Sequence, residues 1–446
     1  MKTVGIIAEY NPFHLGHEYH ISQSKKETHC ENAVVVMSGN LVQRGDMAII
    51  DKFTRAREAV LNGADLVLEI PVCYSTQSAE IFAKGSVEIL NALGIIDFLA
   101  FGSESNDIES IKKLAKILSQ ENEEFQESIK VFLKEGISFP SARQKTLEKM
   151  LGNGKNKDII SSSNDILAIE YIKNLNRLKS SIEPATIQRI SSKYNDTDIN
   201  RLFPSATSIR KIFHDMDILE NQRGAEGIDD IQGTKEKLKN LISKATTQNM
   251  GTYLVDNYID RNIMSLDAYF EELKIIIIRE GRSIDSYFEV NEGIENLILK
   301  NIMTCSTLEE LIEKVKSKRY TRTRIRRTFL NILLGITKTD MRLILGKSPR
   351  TRLFEERPYA RILAFNEKGR ALLKEIDYKT DDRKIDIINK SASFRPESEI
   401  QKIKYRYDNI ANSIYYSKFK IYNKGMRIYS DMNISPAYIK PIVLEV

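Results

Sequence analysis

Apolar runs alternating with helical stretches through the first 105 residues predict an α/β fold, a Rossmann-like parallel sheet with helices on both faces. Three observations carry this expectation. The runs Val4–Ala8, Ala33–Met37, Asp65–Ile70 and Asp97–Phe101 are short and largely apolar, as strands buried on both faces must be. The segments between them, His17–Lys26, Phe53–Asn62 and Ser78–Leu93, have helical spacing, and Asn62-Gly63 and Gly94 supply stop signals. Beyond Tyr253 the pattern turns mostly helical. The chain therefore divides into an α/β domain over residues 1–214, a polar boundary with three glycines over residues 215–250, and a mainly helical region over residues 251–446.

On a parallel sheet, ligands bind outside the carboxyl ends of the strands. The first such end is followed by Asn11-Pro12, a turn, and then by His14, Gly16 and His17 opening a helix. A strand, a tight turn and a helix N-terminus suit an anion, because free N–H groups and the helix dipole both favour negative charge. His14 and His17 are three residues apart and share one helix face, so two imidazoles can donate to the same phosphoryl group as charge develops. Gly16 leaves room for close approach. Only five histidines occur in 446 residues, and His14, His17 and His20 fall together. No Cys or carboxylate cluster of ligand spacing accompanies them, so no dedicated metal site is expected there. Ser38-Gly39-Asn40 and Gly102-Ser103 follow later strand ends and converge on the same edge, and Arg44 and Lys52 are expected to face the ligand.

Residues 106–150 read as helical and charge-rich, Gly152–Asp158 as a polar loop, Asn164–Asn174 as a helix, and Ile182–Arg189 as a further strand with Arg189 at its ligand end. Ser205-Ala206-Thr207 reads as a hydroxyl cap on the helix Ser208–Phe213, with Arg210 one turn on, a second place suited to phosphate. Helices are expected at Leu266–Arg279, Glu292–Thr304, Thr307–Lys316, Arg322–Leu334 and Glu397–Tyr416, with a strand at Ala360–Phe365.

Composition is that of a soluble chain, 41% hydrophobic and 29% charged, with no apolar run long enough to span a bilayer and no signal peptide at the N-terminus. Cys30, Cys73 and Cys305 make neither a zinc pattern nor a disulfide framework, which fits a reducing, cytoplasmic setting. The net charge is +6, yet residues 314–361 hold 15 Lys and Arg against three acids, a local +12. Lys318, Arg319, Arg322, Arg324, Arg326 and Arg327, interleaved with Tyr320 and threonines, are expected to face outward as a polyanion footprint.

Asn11-Pro12-Phe13-His14-Leu15-Gly16-His17 resembles the His-x-Gly-His signature of the nucleotidyltransferase superfamily, and Ser205-Ala206-Thr207-Ser208-Ile209-Arg210 resembles its Ser-Ser-Thr-x-Ile-Arg motif with Ala206 in place of one hydroxyl residue. Met37-Ser38-Gly39-Asn40-Leu41-Val42-Gln43-Arg44-Gly45, Phe101-Gly102-Ser103-Glu104, Ser163-Asn164-Asp165-Ile166-Leu167 and Pro358–Asn366 complete a succession similar to the bacterial tRNA(Met) cytidine acetate ligase family over nearly the whole chain. The resemblance implies ATP as co-substrate, Mg²⁺ accompanying it, acetate as the acid, and elongator tRNA(Met) as acceptor. It implies that acetate is activated as acetyl-adenylate and passed to N4 of the wobble cytidine, with His14 and His17 catalytic. ATP contacts are implied at Ile7, Ala8, Glu9, Tyr10, Asn11, Pro12, Phe13, His14, Leu15, Gly16, His17, Glu18, Tyr19 and His20, at Gly102, Asn164 and Arg189, and at Ser205, Thr207 and Arg210.

The residues themselves leave rivals open. A small-metabolite adenylyl- or cytidylyltransferase uses the same two motifs but leaves the basic segment idle. An aminoacyl-tRNA synthetase needs a Lys-Met-Ser-Lys-Ser-type loop, for which Gly346-Lys347-Ser348 is a poor substitute. A non-enzymatic tRNA-binding protein would bind RNA with a steep salt dependence and turn over no ATP.

Overall fold

A computed structural model describes residues 1–120, 123–137, 139–151, 159, 162–189, 205–223, 231–346, 357–379, 384–419 and 441–444. The loop expected at Gly152–Asp158 and part of the expected boundary lie outside the described residues. In chain order the first elements are β1 (Thr3–Ala8), α1 (Leu15–Glu27), β2 (Asn32–Ser38), the hairpin β3 (Leu41–Val42) and β4 (Asp46–Met47), and α2 (Lys52–Leu61). They continue with β5 (Leu66–Ile70), α3 (Val72–Ser75), α4 (Ala79–Ala92), β6 (Phe98–Ser103), α5 (Ile108–Gln120), α6 (Glu123–Lys134), α7 (Phe139–Leu151), α8 (Ser163–Leu178) and β7 (Glu183–Gln188).

Five parallel strands run in the order β5, β2, β1, β6, β7. The order reverses direction at β1 and β6, which makes the crevice beyond their carboxyl ends the topological switch point. Side chains alternate across the sheet: Val35 joins a core with Val4, Ile6 and Phe53 on one face, while Val34 and Val36 join Leu68, Leu90 and Leu99 on the other. Burial on both faces explains why these runs carry no polar alternation.

The second half contains α9 (Ala206–Arg223), α10 (Ile231–Ile242), α11 (Gln248–Ile259), α12 (Phe270–Glu280), α13 (Ile294–Asn301), α14 (Leu308–Val315), α15 (Arg322–Leu334) and α16 (Lys338–Ile344), then β8 (Tyr359–Phe365), α17 (Glu367–Lys379), β9 (Asp386–Ile388), α18 (Glu399–Ser417) and β10 (Ile442–Val443). Two features differ from the sequence reading. First, part of the expected boundary is core: Leu238, Ile242 and Met250, from α10 and α11, are fully buried against the β1–β2 face. The polar residues that suggested a linker lie on the outer sides of these helices. Second, β8 does not stay with the C-terminal helices. It pairs antiparallel with β5, Leu66 opposite Phe365 and Glu69 opposite Arg361, and carries β9 and β10 on its far edge. β8 is apolar from Ile362 to Ala364, so covering the open edge of β5 buries both of its faces. The helices α12 to α15 share the second core with α4 and α8 through Leu273, Ile298, Leu311 and Phe329.

Candidate active site

A cavity of about 230 Å³ opens at the switch point. The sequence at the end of β1 builds its floor. Asn11-Pro12 is a cis peptide, and Asn11 Oδ1 accepts a 2.7 Å bond from the Ile49 amide. Arg55 sits fully buried in α2 beneath the loop. It donates to the carbonyls of Ile50 at 3.1 Å, Glu9 at 2.5 Å and Ser38 at 3.3 Å, and also to that of Gly39, so one guanidinium ties the ends of β1 and β2 together.

His14 is the N-cap of α1. Its Nδ1 accepts from the Gly16 amide at 3.0 Å, and His17 Nδ1 accepts in return from the His14 amide at 3.3 Å. This reciprocal arrangement is a capping box made of two imidazoles. It stacks the rings at a centroid distance of 3.7 Å. Because each Nδ1 is an acceptor, each neutral ring carries its proton on Nε2. Burial, assisted by Arg189 and Arg210, lowers the His14 pKa to about 3. Burial and the adjoining His14 push His17 well below the usual imidazole value, and burial lowers His20 to about 4. The pair therefore presents two neutral Nε2–H donors.

One sequence expectation is corrected here. The first-turn amides of α1 are not free for an anion: Leu15 donates to the Ala245 carbonyl, Gly16 to His14 Nδ1, and His17 and Glu18 to the His14 carbonyl. The polypeptide satisfies its own helix end, and the anion-facing donors there are side chains. Residues at the starts of three helices nevertheless line the cavity: His14, Gly16 and His17 at α1, Asn164 at α8, and Ser205, Ala206 and Thr207 at α9. Their dipoles add in favour of negative charge.

Ser205 caps α9, its Oγ accepting from the Ser208 amide at 3.1 Å. Arg210 donates to the Asn11 carbonyl and, at 3.2 Å, to Thr207 Oγ1, which joins the two motifs about 200 residues apart in sequence. Arg189 leaves the end of β7 and crosses Gly102, where an added Cβ would lie 3.3 Å from Arg189 Cγ, so any larger residue there would push the arginine aside by a few tenths of an ångström. Glu104 lies 3.9 Å from Arg189 Nε and accepts from Asn164 Nδ2 at 2.5 Å. The cap of α8 is Ser162, and Asn164, two residues on, is free of that role and donates to Glu104. Tyr10 Oη, His20 Nε2 and Arg189 Nε are buried without a hydrogen-bond partner among the described residues. Buried polar atoms without partners are rare, and here three border one cavity.

Of the residues expected at the site, Ile7, Ala8, Glu9, Tyr10, Asn11, His14, Gly16, His17, Tyr19, His20, Gly102, Asn164, Arg189, Ser205, Thr207 and Arg210 line the cavity. Pro12, Phe13, Leu15 and Glu18 do not; Phe13 is fully buried in the core and Glu18 faces solvent. Arg44 lines it, but Lys52 points away and pairs with Glu69 at 2.6 Å inside the protein. Sequence reasoning missed Arg55, which reads as an ordinary helix-surface cation, and the apolar wall of Phe82, Phe101, Leu167 and Tyr171, whose spacing is that of core residues.

The expected outward arginines are largely neutralised. Arg322 pairs with Glu309 and Glu313, Arg324 with Glu292, Arg326 with Asp46 and Asp267, and Arg327 with Glu289. Arg326 and Arg327 are only 12% and 13% exposed. Lys318 and Arg319 are exposed.

The sequence profile of the HIGH Nucleotidyl Transferase family matches residues 1–427. A tRNA(Met) cytidine acetate ligase of Clostridium perfringens is 39% identical over 98% of this chain and 99% of its own, and one of Clostridium novyi is 38% identical over 99% and 100%. The chain belongs to the tRNA(Met) cytidine acetate ligase family. A crystal structure of Thermotoga maritima TmcAL bound with alpha-thio ATP, 29% identical, aligns over 100% of both chains with a TM-score of 0.80, and its apo form with 0.82. The acetate ligase fold thus accounts for β8 and the C-terminal helices as well as for the parallel sheet. No helix among the described residues is long and apolar enough to cross a membrane.

Proposed function

We propose that this ligase activates acetate with ATP as acetyl-adenylate, with release of pyrophosphate, and transfers the acetyl group to N4 of the wobble cytidine of elongator tRNA(Met), releasing AMP. The observation that carries the reading is the capped imidazole pair, two neutral Nε2–H donors beside Arg189 and Arg210 at one cavity. An acetate oxygen attacks the α-phosphorus and the bond to pyrophosphate breaks. Charge gathers on the α-phosphoryl oxygens, where His14 and His17 donate. Arg189 and Arg210 neutralise the polyphosphate. No protein nucleophile is required, since positioning and preorganised donors carry such a displacement. The cytidine amine then attacks the acetyl carbon, the bond to AMP breaks, and the amine proton is lost.

Mg²⁺ is expected with the nucleotide. Among the described residues no group of three His, Cys, Asp or Glu stands at metal-binding spacing, and Glu9 is the one carboxylate lining the cavity. The lining fits an ion that arrives with the phosphates: Glu9 would be the residue to hold it, and the ion would supply charge neutralisation. Cys30, Cys73 and Cys305 are buried and form no disulfide, which suits the reducing cytoplasm proposed as the setting of the reaction.

The test is incubation with ATP, Mg²⁺, acetate and unmodified tRNA(Met), reading AMP release and the mass of the anticodon fragment. One added acetyl group on cytidine with AMP formed is the expected result. AMP formation with an unchanged fragment would move the acceptor elsewhere. His14→Ala is expected to reduce acetate-dependent ATP–pyrophosphate exchange by about 10²–10³ or more, the loss typical of a preorganised oxyanion donor, with tRNA affinity unchanged. Exchange at the parental rate in that variant would remove the role given to His14.

A further inference from the structure

A second, larger cavity of about 1370 Å³ lies between α4 and α8 on one side and α15 and α16 on the other. Eight basic side chains line it against four acidic ones. Lys84, Lys173 and Arg177 come from the sheet-covering wall, and Arg319, Lys338 and Arg342 from the C-terminal wall. Two of the acids are already neutralised: buried Glu170 pairs with Lys173 at 3.0 Å and Glu289 with Arg327 at 3.2 Å. Glu292 likewise pairs with Arg324 at 3.0 Å. Arg319, Lys338 and Arg342 have no ion-pair partner among the described residues.

The two cavities are neighbours. Along α8, Asn164, Leu167 and Tyr171 line the smaller cavity, whereas Glu170, Lys173, Asn174 and Arg177 line the larger one. Along α4, Phe82 faces the first and Ile81 and Lys84 the second. A helix with its side chains is about 10–12 Å across, so one helix layer separates them.

We propose that this cleft is the groove that holds the RNA phosphodiester backbone, and that Lys338 and Arg342, rather than the outer arginines of α15, supply its sequence-independent affinity. The charge is complementary to a polyanion, and the cations without an ion-pair partner among the described residues sit at the cleft, while Arg322 pairs with Glu309 and Glu313 and Arg326 with Asp46. RNA lying there is about one helix diameter from the adenylate site, within the reach of a base unstacked from a single-stranded loop. The inference rests on the tRNA reading above and names the surface that serves it.

The decisive comparison is R342E and K338E against K368E in the full-length protein, binding unmodified tRNA(Met) transcript over a range of salt. Each variant makes the same change in net charge, and Lys368 is exposed on α17, outside the cleft and outside the basic segment 314–361. The expected result is a loss of at least fivefold in affinity for R342E and for K338E, with the salt slope lowered by about one per lost phosphate contact, and less than twofold for K368E. Acetate-dependent ATP–pyrophosphate exchange, measured without RNA, reports that each variant is folded. Equal losses in all three variants, or parental binding by R342E and K338E, overturn the cleft. Absence of exchange in the parental protein would instead overturn the ligase reading, while the binding comparison would still report on the cleft.

Discussion

At the scale of single residues, the sequence points to His14 and His17 but not to their protonation. The spacing places two rings on one face; only the reciprocal Nδ1 bonds, with Gly16 and His14 amides as donors, fix both protons on Nε2. A cap is ordinarily Ser, Thr, Asp or Asn, so a histidine box has no sequence signature to search for. Its consequence is testable. The imidazole ¹⁵N shifts of His14 and His17 are expected to report the neutral Nε2–H tautomer unchanged from pH 8 to pH 5, since burial holds both below the ordinary value. Either ring titrating near 6.5 contradicts the arrangement. The same depression has a cost in acid. Below about pH 6.5 the unfolded chain binds protons at His14, His17 and His20 that the folded chain refuses, so stability is full above that pH and declines towards the folded values near 3 and 4. Urea midpoints measured from pH 7.5 to pH 5 are expected to fall, and to fall less in His20→Asn.

Between elements, the site depends on groups that hold strand ends at fixed separation. Arg55 is the clearest: four carbonyls from β2, the loop after β1 and the turn before α2 converge on one buried guanidinium. In the sequence it is one of several charged positions in Phe53–Asn62, and no periodicity distinguishes an inward arginine from an outward one. Arg55→Lys keeps the charge but cannot satisfy four acceptors in a planar fan. We expect a loss of about 2–4 kcal/mol in urea unfolding, from carbonyls left buried without a donor. We also expect pyrophosphate exchange to fall through kcat more than through the KM for ATP, because the loop carrying His14 shifts while the arginines remain. An unchanged kcat at reduced stability would make Arg55 structural only. Gly39 behaves similarly: a Cβ there would collide with Glu69 Oε1, inside the Lys52–Glu69 pair, so its meaning as more than a turn residue becomes visible only with β5 in place.

For the whole molecule, the parallel sheet was legible because each of its strands is a local apolar run, and the pairing of neighbours follows from short crossovers. The strand Tyr359–Phe365 was legible in the same way, but its destination was not. Its partner β5 ends about 290 residues earlier, and nothing local distinguishes a strand that closes a distant edge from one that starts a new sheet. The consequence is that a cut at residue 214 removes more than an appendage. It strips β8 from β5, removes Arg361, which lies 3.8 Å from Glu69, and uncovers the β1–β2 face from which α10 and α11 exclude water. It also removes the Ala245 carbonyl that accepts the Leu15 amide at the start of α1. A fragment of residues 1–214 is therefore expected to lack a cooperative thermal transition and to show no acetate-dependent exchange. Supplying residues 215–446 as a separate chain should restore both, if the edge and face are what is missing. A fragment that melts cooperatively and exchanges pyrophosphate alone would make the second half a true accessory to an independent catalytic domain, with the β5–β8 pairing a docking contact instead of a part of the core.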